Sequence, residues 1–342
     1  MRPDGPVPLL AAAALVCVAA VLLALTWDRG NRFLVAGVAA LSVVSVLATA
    51  GLELNRLTET YPSWSALGGA AAPGPAQAEL RSPAVYSGSR IEMLTIAGRA
   101  AGMTMPAYVY LPAAYGTRAG RHLRFPVIEA LHGYPGSPRT WLRRLDVRRH
   151  LDAEIAAGRM APTVVVFPYQ TPDPLVDTEC ANLARGPQAE TYLTVDVPAA
   201  VKAHYRVRTD RAGWGLIGYS AGGFCATNLA VRHPAEYAAA ASLSGYAAAG
   251  IALGDGSQNT TDNPAWRLRH LPRPPISLYL AYALDDRHAR RDNLLLARLA
   301  RSPVAVTTAV VPHGGHSDAV WLAMEAPAFD WLSSWLARPA AV

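Results

Sequence analysis

The chain opens on two uncharged, almost wholly apolar runs, Val7–Thr26 and residues 33–52, each long enough to cross a bilayer as a helix. Six mostly polar residues, 27–32, separate them, enough to turn a helical hairpin but too few for a domain. Beyond residue 89 the pattern changes. Short apolar runs at 90–97, 104–111, 125–131, 163–167, 213–218, 239–244, 276–281 and 305–310 read as strands. The first two are adjacent and predict an antiparallel pair. From the third onward, stretches long enough for a crossover helix separate the runs, so the pattern predicts an α/β domain with a mainly parallel sheet of about eight strands, covered on both faces.

Between hairpin and domain, residues 61–88 are rich in Ala, Gly, Pro and Ser and cannot bury a core, so they read as an exposed tether. The expected organisation is an anchor over 1–60, a tether over 61–88 and a globular domain over 89–342. A cleaved signal peptide, or a buried helix of a soluble protein, would also present an apolar N-terminal run. The first run is longer than a usual signal core and lacks a small-x-small cleavage site. Arg29 and Arg32 in the short loop outweigh the flanking arginines, so the positive-inside rule favours a cytoplasmic loop and a domain outside the membrane.

Net charge is +6, yet Lys202 is the only lysine and no basic stripe interleaves with aromatics, so a nucleic-acid partner is not expected. Arg143, Arg144, Arg148 and Arg149 read as the solvated face of one helix. Three cysteines, at 17, 180 and 225, lack zinc-ligand spacing, and no metal is expected.

The densest chemistry surrounds Ser220. An apolar run ends at Ile217, Gly218-Tyr-Ser-Ala-Gly222 follows, and a helical pattern begins at Ala221. This is the form of a nucleophile elbow, where the serine sits on a strained strand-to-helix turn and its neighbours two residues away, Gly218 and Gly222, must be small. A serine needs a base and an orienting acid. Both lie downstream in the order Ser, Asp, His: Asp285-Asp286 after the seventh strand, then His313 and His316 after the eighth. Of these, Asp286 and His316 are preferred, with Asp285 and His313 left open. The backbone N–H groups of Ala221 and of Tyr134, which follows Gly133 after the third strand, are the expected oxyanion donors.

The segments Ala130-Leu-His-Gly-Tyr-Pro-Gly136, Gly218-Tyr-Ser-Ala-Gly-Gly223, His233-Pro and Gly315-His-Ser-Asp-Ala-Val-Trp321 together resemble the bacterial esterase D and mycolyltransferase-like family of α/β-hydrolases. The resemblance covers roughly 89–336 and implies an α/β-hydrolase fold, a Ser220-His316-Asp286 triad, oxyanion donors at Tyr134 and Ala221, and no cofactor. One departure is Ala283, where many relatives carry glycine three residues before the acid. Outside the cytoplasm, a disulfide between Cys180, in the loop after the fourth strand, and Cys225, on the helix after Ser220, would tether that loop beside the site; the resemblance supports it, with two free thiols as the alternative. The expected activity is hydrolysis of a small-molecule or lipid ester. An acyltransferase and a non-catalytic binding ectodomain are the other readings, and the insertion 246–275 is a candidate cap or acceptor cleft.

Overall fold

Residues 3, 6–28, 30–58, 64 and 88–341 are described by a computed structural model. The chain divides into two compact units, Met1–Ser82 and Pro83–Val342. In the first, α1 (Pro6–Thr26) and α2 (Arg32–Thr58) pack side by side as a hairpin. Both are long and apolar enough to cross a membrane, with mean hydropathy 2.8 and 2.3. Their apolar side chains, among them Leu10, Val21, Phe33 and Leu47, are exposed. α2 runs past the apolar stretch that ends at residue 52, through a turn where Arg56 pairs with Glu53 at 2.6 Å. The expected tether, apart from Trp64 and Gly88, lies outside the described residues.

The second unit is built on eight strands: β1 (Arg90–Gly98), β2 (Met103–Leu111), β3 (Val127–Leu131), β4 (Val164–Pro168), β5 (Trp214–Tyr219), β6 (Ala239–Leu243), β7 (Ser277–Ala283) and β8 (Ala305–Val311). Their order across the sheet is β1-β2-β4-β3-β5-β6-β7-β8. β1 and β2 form an antiparallel hairpin, and β2 meets β4 antiparallel; every other neighbouring pair is parallel. β3 begins at Val127 rather than 125, because Pro126 has no N–H to donate to a ladder and Phe125 makes only an isolated bridge to Val207.

Strands β3 to β7 are buried at every residue, as a sheet covered on both faces requires. The longer helices of this unit are α3 (Val147–Ala156), α4 (Val197–His204), α5 (Ala221–Arg232), α6 (Pro264–His270), α7 (Arg287–Leu299) and α8 (Asp318–Trp335). α5 runs beneath β5 and β6 and is buried along almost its whole length, from Ala221 to Val231. Where one solvated basic face was expected, Arg143 ends a one-turn helix, Arg139–Arg143, Arg144 follows in the turn, and only Arg148 and Arg149 lie on α3. Arg144 reaches Asp318 at 3.4 Å and Arg148 reaches Asp152 at 3.9 Å. The segment 246–275 carries α6, whose N-terminus is capped by the Asn263 side chain accepting from Trp266 N.

Candidate active site

β5 runs straight into Ser220, which has φ 55° and ψ −124°, and α5 begins at the next residue. A serine is held in this left-handed, strained geometry only when its surroundings fix it. The fixing is done by contact. A β-carbon on Gly218 would collide with the Gly222 backbone, and one on Gly222 would lie 2.6 Å from the His132 carbonyl oxygen. The serine N–H donates to Leu243 O at 2.9 Å, tying the elbow to β6.

The base and acid arrive from the ends of β8 and β7. His316 Nε2 lies 2.8 Å from Ser220 Oγ, and His316 Nδ1 lies 2.6 Å from Asp286 Oδ2. With the Nδ1 hydrogen donated to the carboxylate, the Nε2 lone pair faces the serine hydroxyl. Asp286 is buried and is also the N-cap of α7, its Oδ1 accepting from Ala289 N at 3.0 Å. Its neighbour Asp285, exposed where Asp286 is buried, accepts from the backbone N–H groups of Gly314 and Gly315 in the same loop, at 3.0 and 2.9 Å. These bonds hold the Asp285 carboxyl below its ordinary pKa. Asp285 therefore clamps the loop that carries the histidine. His313 is exposed in that loop.

Aromatic rings support the histidine from behind. The Trp321 ring meets His316 edge-on at 5.1 Å and packs on Tyr219 at 4.6 Å, and Tyr219 meets the buried Trp141 at 5.1 Å. The turn after β3 passes directly over the serine. A β-carbon on Gly133 would lie 2.8 Å from the Tyr219 ring and 3.1 Å from Ser220 Cβ, so closeness of approach is what demands glycine there. Tyr134 follows in the chain and, with Ala221 at the start of α5, lines one small pocket. A helix N-terminus beside a serine favours negative charge, as a developing oxyanion would carry.

Cys180 and Cys225 form a disulfide, with Cα atoms 5.6 Å apart. It fastens the loop after β4 to the first turns of α5. Glu179, buried and with φ 43°, accepts from Tyr246 Oη at 2.6 Å and from Gly250 N at 2.7 Å. Burial pushes its carboxyl up to about 7. A cavity of about 520 Å³ is lined by Glu179, Ser244, Tyr246, Ala249, Asp286 and His316. Ser244 Oγ is buried there without a hydrogen-bond partner. Sequence reasoning missed Glu179 and Ser244 because neither belongs to a motif; their adjacency to Cys180 and to the end of β6 was the available signal. Among the described residues no cluster suited to a metal ion occurs.

An eight-stranded sheet in this order, with a serine on the strand-to-helix turn after the fifth strand, defines an α/β-hydrolase. Residues 98–339 match the esterase family, described as "Putative esterase", and the chain belongs to that family. A Corynebacterium glutamicum protein described as uncharacterized is 26% identical over 243 residues, covering 66% of this chain and 56% of that one. An endo-1,4-beta-xylanase/feruloyl esterase of Xylanibacter ruminicola is 24% identical over 158 residues, 45% of this chain and 21% of the relative. The chain thus spans about half of the first relative's length and a fifth of the second's. Among solved structures, a ferulic acid esterase superposes with TM-score 0.64 at 18% identity, covering 72% of this chain and 99% of its own.

Proposed function

We propose that the protein is a serine esterase in which Ser220 attacks the ester carbonyl, His316 takes the serine proton and passes it to the leaving alkoxide, and Asp286 orients the imidazole. Water, activated by the same histidine, then releases the acid and frees the serine. The observation that carries this reading is the unbroken line of contacts from Ser220 Oγ to His316 Nε2 at 2.8 Å and from His316 Nδ1 to Asp286 Oδ2 at 2.6 Å. The N–H groups of Ala221 and Tyr134 are assigned to the oxyanion. The cavity beside His316, largely apolar but edged by Glu179 and Ser244, gives one side of the ester its room.

In the same reading, residues 1–60 anchor the enzyme through α1 and α2, residues 61–88 tether it, and residues 89–342 work outside the cytoplasm. The exposed apolar surfaces of the two helices, the arginines of their loop and the Cys180–Cys225 bond support this location. Feruloyl and ferulic acid esterases among the similar proteins direct the first assays to methyl ferulate alongside short-chain aryl esters. Wild type hydrolyses at least one of these, and Ser220→Ala loses at least about a thousandfold in kcat/KM. Unchanged hydrolysis by the alanine variant would move the nucleophile elsewhere. Adding a sugar or glycerol acceptor separates hydrolysis from acyl transfer by the product formed.

A further inference from the structure

At the strand ends remote from Ser220, a cavity of about 460 Å³ is lined by Arg121, His122, Arg124, Lys202, His204 and Arg206. These residues come from the segment before β3 and from the end of α4. The cations are held in place without being neutralised. The Arg206 guanidinium lies 3.9 Å from the centre of the Tyr115 ring and donates to Tyr115 O at 2.7 Å. Lys202 Nζ sits 4.9 Å from the Trp214 ring centre, and Arg124 reaches only the Val207 carbonyl, at 3.4 Å. Among the described residues, none of Arg121, Arg124, Lys202 or Arg206 is in a salt bridge. The carboxylates nearby in the chain are taken, Glu92 by Arg90 at 2.6 Å and Asp210 by Arg208 at 2.9 Å. Glu129 feels Lys202 from within the core but is pushed up to about 8 by burial, so it stays largely uncharged at neutral pH.

Four permanent cations converging on one concavity repel one another, and an anion that enters relieves the repulsion. Planar guanidinium groups are suited to phosphate oxygens in particular. A second observation indicates which phosphate. β1, the first strand of the domain, starts at this cavity: the guanidinium of Arg90 lies 5.6 Å from the centre of the same Tyr115 ring. The chain therefore enters the domain beside the cations, coming from the segment that follows two membrane-spanning candidates.

We propose that this basic cavity docks onto an anionic phospholipid surface, taking the headgroup phosphodiester between Arg121, Arg124 and Arg206. The inference rests on the anchoring read above. It sharpens the function as well, because the serine opens at the opposite edge of the sheet. Docked in this way, the site faces away from the bilayer and takes esters from the aqueous side rather than lipids within the leaflet.

The test uses the full chain reconstituted in lipid nanodiscs, of phosphatidylcholine alone or with added phosphatidylglycerol, read by amide hydrogen exchange. Recovery of the protein in the discs reports the anchor separately from the docking. The expected result is slower exchange over 119–124 and 202–206 in the anionic discs, reversed by high salt. With each basic residue near such a surface worth about a fivefold preference, Arg121→Ala with Arg124→Ala lowers the ratio of docked to undocked protein about twenty-five-fold. Neither residue touches the esterase site, so hydrolysis of a soluble aryl ester stays unchanged in the double variant. Equal exchange in neutral and anionic discs overturns the proposal. So does equal protection in neutral discs on adding inorganic phosphate, which would make the site one for a free anion.

Discussion

Ser220 and His316 stand 2.8 Å apart, yet the chain positions them by opposite means. The elbow is set by exclusion: glycine at 218 and 222 lets backbone approach backbone so closely that only one path for residue 220 remains. The loop bearing the histidine lies largely at the surface and is set by attraction, with the Asp285 carboxylate gripping two amides and Asp286 gripping the ring. A nucleophile fixed by sterics tolerates almost no change at its glycines. A base fixed by hydrogen bonds can be loosened one bond at a time. The division suits the reaction, since the serine is the fixed point while the imidazole must receive and deliver a proton along two directions.

The contrast can be broken most severely at Asp286. Asp286→Asn keeps the shape but offers His316 the wrong hydrogen-bonding partner, and kcat is expected to fall about a thousand- to ten-thousandfold with little change in KM. A fall below tenfold would remove Asp286 from its role. On the steric side, replacing Cys180 and Cys225 together by alanine unfastens the loop after β4 from α5 and is expected to cost about 2–4 kcal/mol in chemical denaturation. Aryl-ester turnover at low temperature should survive that change, because the elbow does not depend on the bond.

Asp285→Asn is the finer probe of the attractive side. The amide retains one acceptor for the Gly314 and Gly315 N–H groups but loses the charge, so the loop loosens and kcat/KM should drop about tenfold. A loss as large as that of Asp286→Asn would mean that the two acids share the orienting work. The smallest effect concerns the sheet under the elbow. Glu129 on β3 is buried, and its pKa rises from 4.5 to about 8. In that window the unfolded chain has released the proton while the native state keeps it, so this group makes stability fall as pH rises from about 4.5 to 8. Glu129→Gln should therefore gain melting temperature relative to wild type at pH 8 compared with pH 5; a constant difference would contradict the burial argument.

How much of this was legible follows from the same contrast. The sheet could be read because parallel strands buried on both faces write continuous apolar runs, such as Val-Val-Val-Phe at 164–167, and the elbow because its steric demand is local and leaves glycines in fixed positions. Strand ends moved by one or two residues, as at Pro126. The acid was different. Asp285 and Asp286 are the same residue type side by side, and what separates them is the direction each takes from the end of β7 towards a loop thirty residues on. No local pattern encodes that direction. Glu179 and the basic cavity around Tyr115 are assembled from distant segments, so they become visible only once the chain is folded.

The central claim is that Ser220 is the nucleophile. Incubating the purified chain with a fluorophosphonate and mapping the adduct by peptide mass spectrometry tests it most directly. One phosphonyl group on the peptide containing Ser220, absent from Ser220→Ala, is the predicted result. Labelling at another residue, or labelling that persists in the alanine variant, would contradict it.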